Sequence, residues 1–570
     1  RIAIPNYDQL LHANSMEFKF SIWQLLHRRI ISDYLKINGL NFKIHILEDG
    51  SSNIDFLKNI QFSGNGLNAV SIKTIALDDC SFAFDDDRKA KKDTIFFDNN
   101  HFCINKINTT ISINEYAKNK LNLVVEHFGF EESSGFKVVD LNTKIELNEQ
   151  ALIIPNFALK LNKSSLKTDT IKFQFEQIGD LFDQQTNVTV NAKLEPSEIV
   201  LSDLNNLHPA LNGFSKKIQL KGEVNGTLDS LSVHDFDFNY ADELQLQGEL
   251  QLKNLQKTLN EIYVDANIKK LSFSVPCIQD IVASLQKKPL VMPHELYNLG
   301  TCNYSGNIRG IFRNLQLHGL LQTNIGNVQT DVRLLVFNKF NDAQIKGSVK
   351  SRNLRLGKLL PKARIGNITF NISSDTQFGH STPFNSRMTA EISSLVYHDY
   401  NYQNLHFDGE LKKNFFLGKI NFDDENGRLE AQGSFDWNKQ EPKFKFTAEV
   451  ADFNPYKMNL TNTYPDLTLN FKANSDFTGG NIDNMNGFFE LFDINLTNAE
   501  KNYSVEQFRL SSDDIDSDAH RLAIQSDIIN GNATGQFILK SLKNSVLNLT
   551  KKYIPASLKS DYRHTAQNNF

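Results

Sequence analysis

IQLKGEVNGTLDSLSVHDFDFNYADELQLQGELQLKNL, residues Ile218–Leu255, is the stretch whose spacing decides the fold class. Apolar side chains fall at Ile218, Leu220, Val224 and Leu228, and resume at Leu231 and Val233. They follow at Phe236, Phe238 and Tyr240, then at Leu244, Leu246, Leu250 and Leu252. Between them stand Lys221, Glu223, Asn225, Asp235, Asp237, Asn239, Gln245, Gln247, Glu249 and Gln251. Successive side chains of a strand point to opposite faces, so a two-residue period sets one face in an apolar environment and the other in water. Each run is short and breaks at Gly, Asn, Asp or Ser, which turns favour. The reading is strand after strand of antiparallel sheet, apolar on one side.

The same beat runs outward in both directions. Leu35, Ile37, Leu40, Phe42, Ile44 and Ile46 begin it, followed by a turn at Glu48-Asp49-Gly50 and a further run at Asn53–Leu57. Strands are expected at 70–77, 80–84, 94–97, 102–113, 120–127, 136–147, 151–161 and 168–175. Beyond residue 300 the pattern returns at Leu405, Phe407 and Leu411, at Phe416, Ile420 and Phe422, and at Leu429, Ala431 and Phe435. It continues at Phe444, Phe446 and Val450 and at Leu467, Leu469 and Phe471. At ~10 residues per strand and turn, the chain holds roughly 40–50 strands. Glycines recur inside the runs, at Gly222, Gly248, Gly409, Gly418 and Gly433 among others, and a strand glycine reads as a bend or bulge. Helical spacing appears at 20–34. Three helices are expected at 202–211, 276–288 and 541–553, with Ser202 as an N-cap and Pro209, Pro289 and Pro555 as stops. Their expected role is to plug or cap sheet edges.

Composition narrows the function classes. The chain has 570 residues, a net charge of -5 and 22% charged residues of both signs, with no basic stripe for nucleic acid. There are 43 Phe against 15 Tyr and 2 Trp, which suits a dry surface or follows from an AT-rich genome. No stretch reaches the ~18 apolar residues of a membrane-spanning helix. Cys80, Cys103, Cys277 and Cys302 form no CxxC; they read as free buried thiols or as pairs Cys80–Cys103 and Cys277–Cys302. No P-loop, GxSxG or HExxH is present, and His294-Glu295 has Asn298 where a second His would stand. Asp514, Asp516 and Asp518 imitate a calcium loop, but Ala519 replaces its glycine, so a polar turn is expected. Asp85, Asp86 and Asp87 beside Arg88 read as a hairpin tip. The chain reads as a non-enzyme with no catalytic residues, no metal and no cofactor.

What covers the apolar side decides the architecture. A β-sandwich rarely needs so many strands in one domain. A transmembrane barrel would carry aromatic girdles, and a parallel β-helix a tight repeat; neither pattern is present. What remains is a mostly β fold, an elongated antiparallel sheet curled into a groove with a few short helices. Its floor would be lined by Ile218, Leu220, Val224, Leu228, Leu244, Leu246, Leu250, Leu252, Leu405, Phe407, Leu411, Phe444, Phe446, Val450, Leu467, Leu469 and Phe471. Acyl chains fit such a floor, because burying them gains ~0.8 kcal/mol per CH₂.

LKINGLNFKIHILEDGSSNIDFL (Leu35–Leu57), with a D-G-x-x-N turn at Asp49, Gly50 and Asn53, resembles the N-terminal repeat of the AsmA superfamily. Leu220–Leu255, Leu299–Leu334, Tyr400–Trp437 and Ser526–Pro555 are similar to TamB-like proteins of the Bacteroidetes type. The resemblance covers nearly the whole chain, and its motifs mostly encode strands and turns. It implies an N-terminal groove part at 1–175, a repeating β-groove at 176–540 and a terminal helix and tail at 541–570. It further implies a periplasmic piece of a longer protein, anchored in the inner membrane by a segment outside this sequence. Such a protein would move phospholipids between two membranes. The alternative is a scaffold or chaperone in outer-membrane protein assembly, with an Omp85-type barrel partner.

Overall fold

The computed structural model describes residues 10–535, apart from 21–22, 24–28, 56–68, 92–95, 118–119, 183–187, 208–215, 228, 259–260, 287–290, 338–340, 438–440, 500 and 515–518. The fold is mostly β: thirty-two strands, one α-helix and a few 3₁₀ turns among the described residues, built as open, curled antiparallel sheet. The chain divides into two compact units. The first comprises Arg1–Pro293 with Gly300–Phe312, the second His294–Leu299 with Arg313–Phe570. Around residue 175 the sheet is continuous, since Ser165–Gln174 pairs with Thr189–Val200.

The first unit opens with crossed strands. Arg29–Asn38 runs parallel to Ala69–Ile72 and to Thr74–Asp86, and Asn41–Ile46 is also parallel to Thr74–Asp86. From there an antiparallel meander continues to Thr301–Ile311. In the second unit every strand from Asn314–Thr323 to Gly531–Gly535 pairs with the next in sequence. Short hairpin links suffice for this, because antiparallel neighbours need no crossover.

The Asp49–Asn53 motif has a local logic. The Asp49 carboxylate accepts from Ser51 N (2.9 Å), and Gly50 takes φ 82°. Asn53, fully buried, accepts from His45 N (3.0 Å) and donates to Lys43 O (2.8 Å). Its amide thus extends the ladder of Asn41–Ile46 where a further strand was expected.

Other expectations need correction. Residues 29–34 are strand, since Ile30 and Ile31 pair with Val70 and Ser71 and tertiary pairing overrides the helical spacing. Of the helix expected at 202–211, the described part is a 3₁₀ turn, Leu201–Leu204, and 208–211 lie outside the described residues; the N-cap is Val200, which has no capping oxygen, rather than Ser202. Phe96 and Phe97 are not in a strand; the Phe97 ring instead packs 5.5 Å from that of Phe102. The helix expected at 276–288 is present as α1, Val275–Gln286. The helix expected at 541–553 lies outside the described residues. All four cysteines are free. Cys80 stands opposite Ile107 and Cys103 opposite Ala83, so the first suggested pair is out of register.

Among the described residues the strands are longer than expected, because many turn a corner without ending. Apolar parity slips by one at Asp79, Lys106, Asn156, Asp235, Asn353, Asn404, Asp452 and Asp493, and each holds φ between 47° and 63° within a continuous strand. Val233 and Phe236, read in the sequence as the end and start of two runs, flank Asp235 in the single strand Ser230–Tyr240. A bulge residue in the left-handed region bends the strand and restores its apolar face to the same side. Asp and Asn tolerate this conformation where most residues do not. Neighbouring strands cap the freed amides. Asp452 N donates to Asn470 Oδ1 (2.8 Å), Asn353 N to Thr369 Oγ1 (3.0 Å) and Asp79 N to Asn108 Oδ1 (3.0 Å).

Two outcomes are expected. Replacing Asp452 by Gly should leave stability nearly unchanged, whereas Asp452→Val should cost about 1–2 kcal/mol in denaturant unfolding, because a β-branched residue resists φ > 0. The second concerns acid. The Arg88 guanidinium grips both Asp86 oxygens at 2.8 Å and holds that carboxyl at about 2. Lys106 and Lys137 hold Glu131 at about 2. Both folded values lie below the ordinary 3.8 and 4.5, so their contribution is complete above those values and is lost as pH falls toward 2. Acid titration followed by circular dichroism should show that Asp86→Asn with Glu131→Gln destabilises the protein at pH 6 but makes little difference at pH 2.

Candidate functional site

The apolar face of the second unit forms the most developed site. Its geometry follows from the registers of five consecutive strands: Tyr400–Lys412, Phe415–Asp424, Gly427–Asp436, Lys443–Phe453 and Leu467–Thr478. Directly opposed residues share a face, which resolves four rows. Leu405, Phe422, Leu429, Val450 and Phe471 make the first row, and Phe407, Ile420, Ala431, Ala448 and Ala473 the second. The third is Gly409, Gly418, Gly433, Phe446 and Ser475; the fourth is Leu411, Phe416, Phe435, Phe444 and Phe477. Bulky side chains therefore border two central rows that are mostly Ala, Gly and Ser, with Phe407, Ile420 and Phe446 among them.

Aromatic rings bridge the strands along this face. Ring centroids lie 5.1 Å apart for Phe407–Phe416, 5.9 Å for Phe416–Phe435, 5.0 Å for Phe435–Phe446 and 5.0 Å for Phe444–Phe477. The glycines make room for them. A Cβ on Gly409 would sit 3.0 Å from Phe416 Cε2, and one on Gly433 would sit 2.2 Å from Lys445 O and 2.6 Å from Phe446 Cβ. Gly409, Gly418 and Gly433 pair without a register shift, so they are not the bends expected of them. The bends belong to Asn404 and Asp452.

At one end of the first row the face is roofed. Residues 454–466 connect Lys443–Phe453 to Leu467–Thr478 and fold back over the intervening strands. Tyr402 Oη donates to Met458 O (3.0 Å), and Asn459 Nδ2 donates to His398 O (3.0 Å). The crossing covers three strand spacings, ~14 Å. Asn454 sets its start, accepting from Lys457 N (2.9 Å) and donating to Pro465 O (3.1 Å). Beneath lies a cavity of about 420 Å³ lined by Leu395, Tyr397, Tyr402, Leu405, Phe422, Leu429, Val450, Phe453, Leu460, Leu469 and Phe471. Burial pushes the Tyr402 hydroxyl above its ordinary range. Nearby, burial and then the Asp424 carboxylate push Tyr400 up to about 12. Both hydroxyls stay protonated and bonded to protein oxygens at neutral pH.

The expected lining residues divide into three groups. Leu405, Val450, Leu469 and Phe471 meet at the cavity. Phe407, Leu411, Phe444 and Phe446 lie half-buried on the same face beyond it, and Leu467 opens its strand opposite Asn498. In the first unit, Leu220, Leu246 and Phe238 align, as do Val224, Leu250 and Val233. Leu252 stands opposite Leu231 and Val264. Ile218, Leu220 and Leu244 are not free, however. They pack with Tyr240 and Phe238 under α1, whose Cys277 and Ile281 complete a small core. Leu228 lies outside the described residues. A comparable cap in the second unit sets Leu299, Leu356 and Leu359 on Ile325, Leu354 and Ile368.

Sequence reading missed Tyr397, Tyr402, Met458 and Leu460. Their signal is weak: two apolar residues, Met458 and Leu460, in a turn-rich segment between two alternating runs. Of the suggested calcium loop, Asp514 pairs with His520 Nδ1 (2.6 Å), and Asp516 and Asp518 lie outside the described residues. Among the described residues no helix is long and apolar enough to cross a membrane.

Comparison with models of known families, with curated proteins and with solved structures found no match to this chain.

The glycine band is testable by stability. Gly433→Ala should cost about 1–3 kcal/mol, because the partner strand at Lys445 O and at Phe446 Cα and Cβ must shift. Gly480→Ala, where the nearest atom is Pro442 Cγ at 3.6 Å, should change urea unfolding by less than about 0.5 kcal/mol.

Proposed function

We propose that this chain is a lipid conduit: hydrocarbon chains lie along the apolar face of the curled sheet while their headgroups stay in water. The observation that carries the reading is the incomplete cover of that face. Phe407, Leu411, Phe435 and Phe444 would be sealed by a second sheet in a sandwich, but all four remain part-exposed. A soluble protein rarely leaves an apolar strip larger than a few hundred Å² without a use. Acyl chains gain ~0.8 kcal/mol per CH₂ on such a strip. Because neighbouring positions are chemically alike, a chain slides from one to the next without a large barrier.

The resemblance to the AsmA superfamily supports the same reading. On it, the chain is a TamB-like segment carrying phospholipids between inner and outer membranes in the periplasm, with membranes at both ends of the full-length protein. An Omp85-type barrel is the partner this reading implies.

Photocrosslinking residues separate the two faces. Placed at Leu246 or Phe446 they should label phospholipid, and at Gln245 or Lys445 they should not; equal labelling from both faces would end the proposal. Charge on the path gives a second readout. Leu250→Arg and Phe446→Glu should reduce lipid transfer between vesicles by about two orders of magnitude, since a charge in a hydrocarbon path costs about 2.5–3.5 kcal/mol. Expression should change little, because Leu250 and Phe446 are both part-exposed rather than fully buried. If the assay instead recovers a barrel protein bound to a lipid-free chain, assembly of outer-membrane proteins becomes the better reading.

A further inference from the structure

We propose that the cavity beneath residues 454–466 is a retention site for a single hydrocarbon chain, and that this strap sets the rate at which the chain leaves. The inference rests on the conduit reading and adds a discrete site to it. Along Phe407, Phe435 and Phe444 a bound chain would touch protein on one side only. Under the strap, Leu460 joins the strand residues in the lining, so a chain there would touch the strap as well as the sheet. More apolar area leaves water there, so the position is a well in an otherwise level path.

The lining selects the occupant. It consists of aliphatic and aromatic carbon, and the Tyr402 hydroxyl is already committed to Met458 O. A peptide segment would bring N–H and C=O groups into a space that offers them no partner, and each unpaired group is costly. A hydrocarbon carries no such groups. The cavity, about 420 Å³, is nearly three times the ~150 Å³ that holds one benzene, so it suits one chain segment rather than two.

The strap is tethered across the face at few points. Its Met458 side chain is fully buried, but Leu460 is 49% and Tyr464 62% exposed. Two hydrogen bonds, from Tyr402 and Asn459, tie it across the face. Releasing one of them leaves the strands beneath it paired.

The test uses the full chain loaded with palmitic acid carrying a terminal diazirine. Irradiation and peptide mapping report where the chain lies, and a chase with excess phosphatidylcholine vesicles before irradiation reports how fast it leaves. Adducts are expected on the 454–466 peptide and on the peptide holding Leu469 and Phe471, and these should outlast adducts near Leu246 during the chase. Tyr402→Phe should speed their loss about fivefold, the effect of one net hydrogen bond, without altering the loss near Leu246. Leu460→Ser, at a half-exposed position, provides a second variant and should act in the same direction. Adducts near Leu246 with none on the strap would overturn the retention site while sparing the conduit. Strap adducts whose loss neither variant speeds would overturn the gating role. Absence of adducts on either apolar face would remove the conduit reading itself.

Discussion

A β-strand with strictly alternating side chains has one face that water does not solvate well, and some partner must cover it. In this protein that requirement is met in part by curvature. Left-handed Asp and Asn residues bend the strands at internal corners and keep the apolar side chains on one side across each slip in parity. The corners depend on neighbours: the amide freed at Asp452 is taken by Asn470, and that at Asn353 by Thr369. Without these bends the apolar rows would lie flat and fully open to solvent.

Three kinds of insertion cover what curvature leaves. Helix α1 roofs Ile218, Tyr240 and their neighbours. Leu299, Leu356 and Leu359 cover Ile325, Leu354 and Ile368. The 454–466 strap spans a gap instead of filling it, which is why a cavity persists beneath it. Between such covers the face carries Phe rings above glycine and alanine, a surface with apolar area and little relief. Charge stays on the opposite face. There, pairs such as Lys445–Asp476 at 2.8 Å and Lys472–Asp493 at 3.1 Å link neighbouring strands, each contributing little because it is exposed.

Much of this is legible in the residues. A period of two over hundreds of positions identifies the sheet, and the shared apolar side of Leu405, Phe407, Phe446 and Val450 follows from parity alone. The slip between Val233 and Phe236 is equally visible, but a bulge and a turn leave the same mark in a sequence; only the pairing partner tells them apart. Hence one bent strand reads as two runs. Gly433 was expected to bend its strand because a missing Cβ has two uses, freedom of φ and close approach, and the sequence does not say which a site employs. Ile218 and Leu244 read as open floor because nothing local announces that the helix Val275–Gln286, well downstream of both, will fold back over them. The strap was hidden for the same reason: Tyr402 and Met458 are 56 residues apart, and their hydrogen bond exists only in three dimensions.

The most direct measurement is mass spectrometry of the protein purified without detergent, first intact under native conditions and then after organic extraction. The account requires co-purifying molecules with hydrocarbon chains, bound in sub-stoichiometric to multiple copies and lost when Phe446 is replaced by Glu. A chain that emerges free of lipid, and stays so after incubation with phospholipid vesicles, would contradict it.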